Sequence, residues 1–88
     1  MIQKGSSPIR LVSVAQLRAA RGLIGWSQSD LAREAGLSLP TVKRVETDLG
    51  VRVSDEAKMR LRNALEAGGV EFLDENGGGP GVRLRKAR

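Results

Sequence analysis

Residues 28–47 read QSDLAREAGLSLPTVKRVET, and the fold turns on this stretch. Two short helical patterns, 28–35 and 39–47, are joined by Gly36-Leu37-Ser38. Leu31, Ala35, Leu37, Val42 and Val45 recur at the spacing that gathers apolar side chains on one side of a helix. Ala32 supplies a small side chain where two helices can cross closely. Gly36 permits the left-handed backbone that ends a helix without a Cβ penalty. Pro40 falls in the first turn of the second helix, where a missing N–H costs nothing. Once the apolar set faces inward, Ser38, Leu39, Pro40, Thr41, Lys43 and Arg44 look outward at the start of the second helix. Two helices joined by a three-residue, glycine-containing turn form a helix-turn-helix, whose second helix enters a major groove N-terminus first.

The flanking sequence repeats one grammar. Ser27 with Asp30 forms a capping box, and Trp26 with Leu31 the hydrophobic staple around it. Leu37 and Val42 make the staple around Ser38. Ser13 with Gln16 predicts a helix carrying Val14, Leu17, Ala20, Arg21 and Ile24, with Val12 and Leu17 as its staple and Gly22 and Gly25 weakening its end. Ser54 caps a fourth helix over 55–67, where Asp55 and Glu56 suit the positive end of the helix dipole and Gly68-Gly69 makes the stop. Each cap contributes about 1 kcal/mol.

Beyond Gly69 the period changes to two. Val70-Glu71-Phe72-Leu73 and Val82-Arg83-Leu84-Arg85 alternate around the turn-forming run DENGGGPG over 74–81. A β-hairpin follows, with Val70, Phe72, Val82 and Leu84 on one face and Glu71 opposite Arg83 or Arg85 on the other. A disordered tail is the competing reading, because an isolated hairpin is marginal in water. No segment of the chain offers this apolar face an obvious cover, so Val70, Phe72, Val82 and Leu84 are expected to form a dimerisation surface.

Composition removes other possibilities. The chain has 88 residues, room for one thin-cored domain. It contains no Cys, hence no disulfide, thiolate metal site or cysteine nucleophile, and no His, hence no imidazole base or ligand. An enzyme is not expected, nor a metal or other cofactor. The net charge is +5. Residues 1–44 hold seven basic and two acidic residues, whereas 45–88 hold eight of each, so the excess lies beside the helix-turn-helix. A polyanionic partner fits that asymmetry. No apolar run resembles a signal peptide or spans a bilayer, which predicts a cytoplasmic, nucleoid-associated protein without a membrane partner.

Arg21, the run Trp26-Ser27-Gln28-Ser29-Asp30-Leu31-Ala32, Gly36, Ser38, Thr41, Val42 and Glu46 together resemble the Cro/C1-type, or XRE-type, helix-turn-helix regulators. The resemblance covers roughly 13–67. It implies a mainly α, lambda-repressor-like bundle of four helices, to which the C-terminal β-hairpin is added. It assigns phosphate contacts to Ser27, Gln28, Ser38 and Thr41, and base-facing positions to Leu39, Pro40, Lys43 and Arg44. The family often carries polar residues at the first two of these; Leu39 and Pro40 offer contact with a thymine methyl instead. Arg21 and Glu46 match a structural ion pair, outside the DNA contacts. Three parts are expected: an arm over 1–12, the helix-turn-helix domain over 13–68, and a hairpin with a basic tail over 69–88. The expected function is sequence-specific binding of double-stranded DNA by a homodimeric repressor on a two-fold operator. The alternative is an antitoxin that neutralises a partner toxin and autoregulates its operon.

Overall fold

The computed structural model of the chain describes residues 12–47, 53–75 and 77–85. Residues 1–11, nearly all of the arm expected over 1–12, and the end of the basic tail, 86–88, lie outside the described residues. Four helices and a hairpin follow in order: α1 (Val14–Leu23), α2 (Gln28–Ala35), α3 (Leu39–Thr47), α4 (Asp55–Ala67), β1 (Val70–Leu73) and β2 (Gly81–Leu84).

The caps set these boundaries. The Ser13 hydroxyl accepts from the Gln16 N–H while the Gln16 side chain accepts from the Ser13 N–H, a complete capping box. Ser27 and Asp30 form the same reciprocal pair on α2. The Ser54 hydroxyl accepts from the Ala57 N–H at the start of α4. The Ser38 hydroxyl accepts from the Thr41 N–H at 3.2 Å, capping α3. Gly36 ends α2 at φ 69°, in the left-handed region.

The core is aliphatic. Leu17, Leu31, Val42, Val45, Leu61, Leu65 and Val70 are fully buried, and Ala32 and Ala35 fill the close approach of α2 to α3. Ile24, Trp26 and Leu37 pack against this cluster. At the end of α4 the Trp26 ring lies so near Gly68 that a Cβ there would stand 2.9 Å from two ring carbons. Gly68 is therefore required by packing, and of the two glycines at the expected stop it is Gly69 that takes a positive φ, 109°.

β1 and β2 pair antiparallel, Val70 with Leu84, Glu71 with Arg83 and Phe72 with Val82, so the expected apolar face and the Glu71–Arg83 pair are both present. The cover is where the expectation needs correction. The hairpin lies against α1 and α4 of its own chain. Val70 is fully buried, Phe72 and Val82 pack against the core, and Leu84 alone of the four stays 53% exposed. The stripe does not require a second subunit to leave water. The sequence reading missed the cover because a buried glutamine helps fix it. Gln16 Nε2 donates to the Leu73 carbonyl at 3.3 Å and to the Gly81 carbonyl at 3.0 Å, clamping the loop end of the hairpin onto α1. Gln16 thus links a helix cap to strands 57 and 65 residues away.

Candidate nucleic-acid interface

α3 owes its orientation to its inner face. Val42 and Val45 are fully buried, and the glycine turn at Gly36 sets the helix across α2. Behind its last turn the Glu46 carboxylate is almost sealed, with 7% of its side chain exposed. It accepts from Arg21 Nε and Nη2, both at 2.9 Å, in a two-pronged pair. Arg21 Nη1 donates to the Trp26 carbonyl at 3.1 Å, so one guanidinium ties α1, the α1–α2 turn and α3 together. This is the structural ion pair that the sequence implied.

Glu46 has a third donor. Gln28 Nε2 approaches Glu46 Oε1 at 3.0 Å. Gln28 is half-buried, and one of its two amide hydrogens is directed at this carboxylate. The contact was not legible in the sequence, because residues 28 and 46 lie on different helices, 18 positions apart. Leu39 is half-buried against the core.

The remaining expected contacts lie at the outer surface. Ser38, Pro40, Lys43 and Arg44 are exposed, and Thr41 is half-buried. The Ser38 and Thr41 hydroxyls are 2.9 Å apart and share one hydrogen bond. Ser27 is exposed at the start of α2, its oxygen occupied by the Asp30 N–H. The helix starts of α2 and α3 and the outer face of α3 thus carry all eight expected DNA-facing residues, with Leu39 partly withdrawn into the core and Gln28 turned toward Glu46. Thr47, exposed on the same stripe as Pro40, Lys43 and Arg44, completes the face and was missed. Its i+3 spacing from Arg44 is the signal that could have found it.

Charge singles out this face. Arg21, Arg33, Arg60, Arg62 and Arg83 each meet a carboxylate, and Arg85 donates to the Glu66 carbonyl. The side chains of Lys43 and Arg44 make no ion pair or hydrogen bond among the described residues, nor do those of Arg18 on α1 and Lys58 on α4. Two adjacent cations, unneutralised among the described residues and beside helix-capping hydroxyls, suit a phosphate-lined groove. No group of His, Cys, Asp and Glu among the described residues is arranged to hold a metal ion, and no helix among them is long and apolar enough to cross a membrane.

No functionally curated protein matches the chain. The helix-turn-helix family matches residues 17–68, more than half of the chain, from the fourth residue of α1 to the glycine against Trp26. With the capped α2–α3 unit, the buried Arg21–Glu46 pair and the cationic outer face of α3, this match makes the chain a member of the Cro/C1-type (XRE) helix-turn-helix family of DNA-binding transcriptional regulators.

Proposed function

We propose that the protein is a repressor that binds a two-fold operator as a homodimer, with α3 (Leu39–Thr47) lying N-terminus first in the major groove. The observation that carries the reading is the pairing of opposites on α3: a fully buried inner face, Val42 and Val45, behind two exposed cations with no internal partner among the described residues, Lys43 and Arg44. Ser27, Ser38 and Thr41 stand where backbone phosphates would pass, and Gln28 joins them by exchanging Glu46 for phosphate. Lys43 and Arg44 face the bases, with Pro40 and the exposed part of Leu39 ahead of them.

One such unit reads only a few base pairs. Two, with half-sites about 34–36 Å apart, supply the specificity a repressor needs. Of the hairpin residues assigned to dimerisation, Val70 is committed to the core of its own chain, so the contact with a second copy falls to the exposed Leu84 and the outer edge of β2, with Phe72 and Val82 as its backing. The test is binding of the full chain to random-sequence and selected duplexes across a range of salt. A repressor of this type retains a discrete, two-fold motif, and Lys43→Ala lowers the slope of log affinity against log salt by about one if it meets a phosphate as well as a base edge. Equal affinity for every duplex would contradict the sequence-specific reading.

A further inference from the structure

The face of α3 also restricts which bases it can read; this rests on the proposal that α3 is the helix in the groove. Pro40, Lys43, Arg44 and Thr47 follow at intervals that place them on one exposed stripe. Lys43 and Arg44 are hydrogen-bond donors only, and Pro40 has no polar side-chain atom. Among the described residues the nearby carboxylate is engaged, and the two nearby hydroxyls are those assigned above to phosphates. The Glu46 carboxylate takes two bonds from Arg21 and one from Gln28, and the Ser38 and Thr41 hydroxyls bond each other. Leu39 leans into the core. The Thr47 hydroxyl sits roughly 10 Å further along the helix axis than Pro40, behind the turns that meet base edges first. The leading half of α3 therefore presents donors and apolar surface, with no free carboxylate or carboxamide.

The four bases ask for different chemistry in the major groove. Guanine offers two adjacent acceptors, N7 and O6, for a donor side chain to span, whereas adenine N7 and thymine O4 are single acceptors and thymine adds a methyl group. Adenine is read by a carboxamide that both donates and accepts, and cytosine by an acceptor. We propose that α3 reads its half-site through guanine and the thymine methyl alone: Arg44 and Lys43 on guanine N7 and O6, Pro40 with the exposed part of Leu39 on a thymine methyl. Adenine and cytosine would be specified only as the partners of these bases.

The experiment selects duplexes from a randomised pool with the full chain, then alters single atoms at the selected half-site. Replacing a contacted guanine by 7-deazaguanine removes N7 and is expected to weaken binding by roughly 5- to 150-fold, the span of one base-specific contact. In Arg44→Ala or Lys43→Ala the same replacement should have no further effect at the guanine that residue reads. Arg44 and Lys43 are exposed and unpaired among the described residues, and unchanged helicity of each variant confirms that the fold survives. Uracil in place of the contacted thymine should weaken binding several-fold, while purine in place of adenine, which removes only the N6 amino group, should not. Loss of affinity on removing the adenine amino group, or sensitivity to 7-deazaguanine that persists in both variants, would overturn the inference and leave DNA recognition by this family member intact. Failure to retain any duplex at about 50 mM salt, where phosphate contacts are strong, would overturn the regulator reading itself.

Discussion

The α2–α3 unit and the C-terminal hairpin are both short, and both are stabilised by polar groups as much as by apolar area, but the range of those contacts differs. In the helix-turn-helix most of the decisive contacts are local: Ser27 with Asp30, Ser38 with Thr41, and the left-handed Gly36 one position beyond the end of α2. The hairpin takes its place from afar, through Gln16 on the Leu73 and Gly81 carbonyls and through Trp26 against Gly68. The helix-turn-helix lies inside the family match over 17–68 and the hairpin beyond it. A locally encoded unit can keep its shape while its outer face changes, so α3 can carry leucine and proline at its start without loss of the turn. A unit held from a distance depends on the surface it leans on.

The difference can be broken first at the one long-range tie that the helix-turn-helix does use. Arg21→Ala leaves the nearly sealed Glu46 carboxylate with Gln28 as its one remaining side-chain donor among the described residues. Removing one partner of a buried pair costs about 3–5 kcal/mol, and the 23% exposure of Arg21 places this case toward the lower end. The melting temperature should fall by roughly 10–20 °C. A wild-type melting curve would show that the pair does not hold α1 to α3.

Gly68→Ala attacks the hairpin junction. The new methyl would sit 2.9 Å from the Trp26 ring and 3.0 Å from Ile24 Cδ1. Overpacking costs about 1–3 kcal/mol, offset by the roughly 0.5–1 kcal/mol that alanine gains over glycine in a helical backbone. Denaturant titration should show a net loss of about 1–2 kcal/mol; a gain in stability would mean that the ring moves aside freely.

Gln16→Leu separates the two regions most cleanly. It removes the clamp on two strand carbonyls and the acceptor for the Ser13 N–H, at about 1–2 kcal/mol. Amide exchange should quicken across β1 and β2 and stay slow in α2 and α3. Equal quickening in both regions would erase the distinction between them.

The smallest effect is a pH dependence within α2. The Ser27 backbone N–H, then its hydroxyl and the nearby Arg33, hold the Asp30 carboxyl below its ordinary value of 3.8. A group lowered in the folded state stabilises the fold above the unfolded chain's value, and that contribution is lost as pH falls through the lower, folded value. Asp30 is exposed to solvent, so the effect is slight, and Asp30→Asn should remove this portion of the acid sensitivity. Ser27→Ala, which deletes the cap oxygen, should cost about 1 kcal/mol at neutral pH. An Asp30→Asn chain with the same acid profile as the parent would show that the capping box carries no linkage.

These contrasts follow how much of the molecule could be read from its residues. Helix boundaries were legible because Ser13, Ser27, Ser38 and Ser54 are each followed within three residues by the group they bond. The Arg21–Glu46 pair was implied by resemblance, and the register that sets Glu71 against Arg83 by alternation. The cover of the hairpin was hidden because Gln16 reads as a capping residue and gives no sign that its second functional atom faces strands far along the chain. At the interface, Lys43 and Arg44 were legible from the inward set of Val42 and Val45. The turn of Gln28 toward Glu46 was not, since it joins two helices across 18 residues.

The most direct measurement is operator affinity of the double variant Lys43→Ala, Arg44→Ala, taken beside its thermal melt. Both side chains are exposed and unpaired among the described residues, so the melt should stay within about 0.5 kcal/mol of the parent. Affinity for a selected duplex should fall to that for a random one, with the salt dependence shallower than in the parent. An intact fold that still prefers the selected duplex as strongly as the parent does would contradict the assignment of α3 as the reading helix.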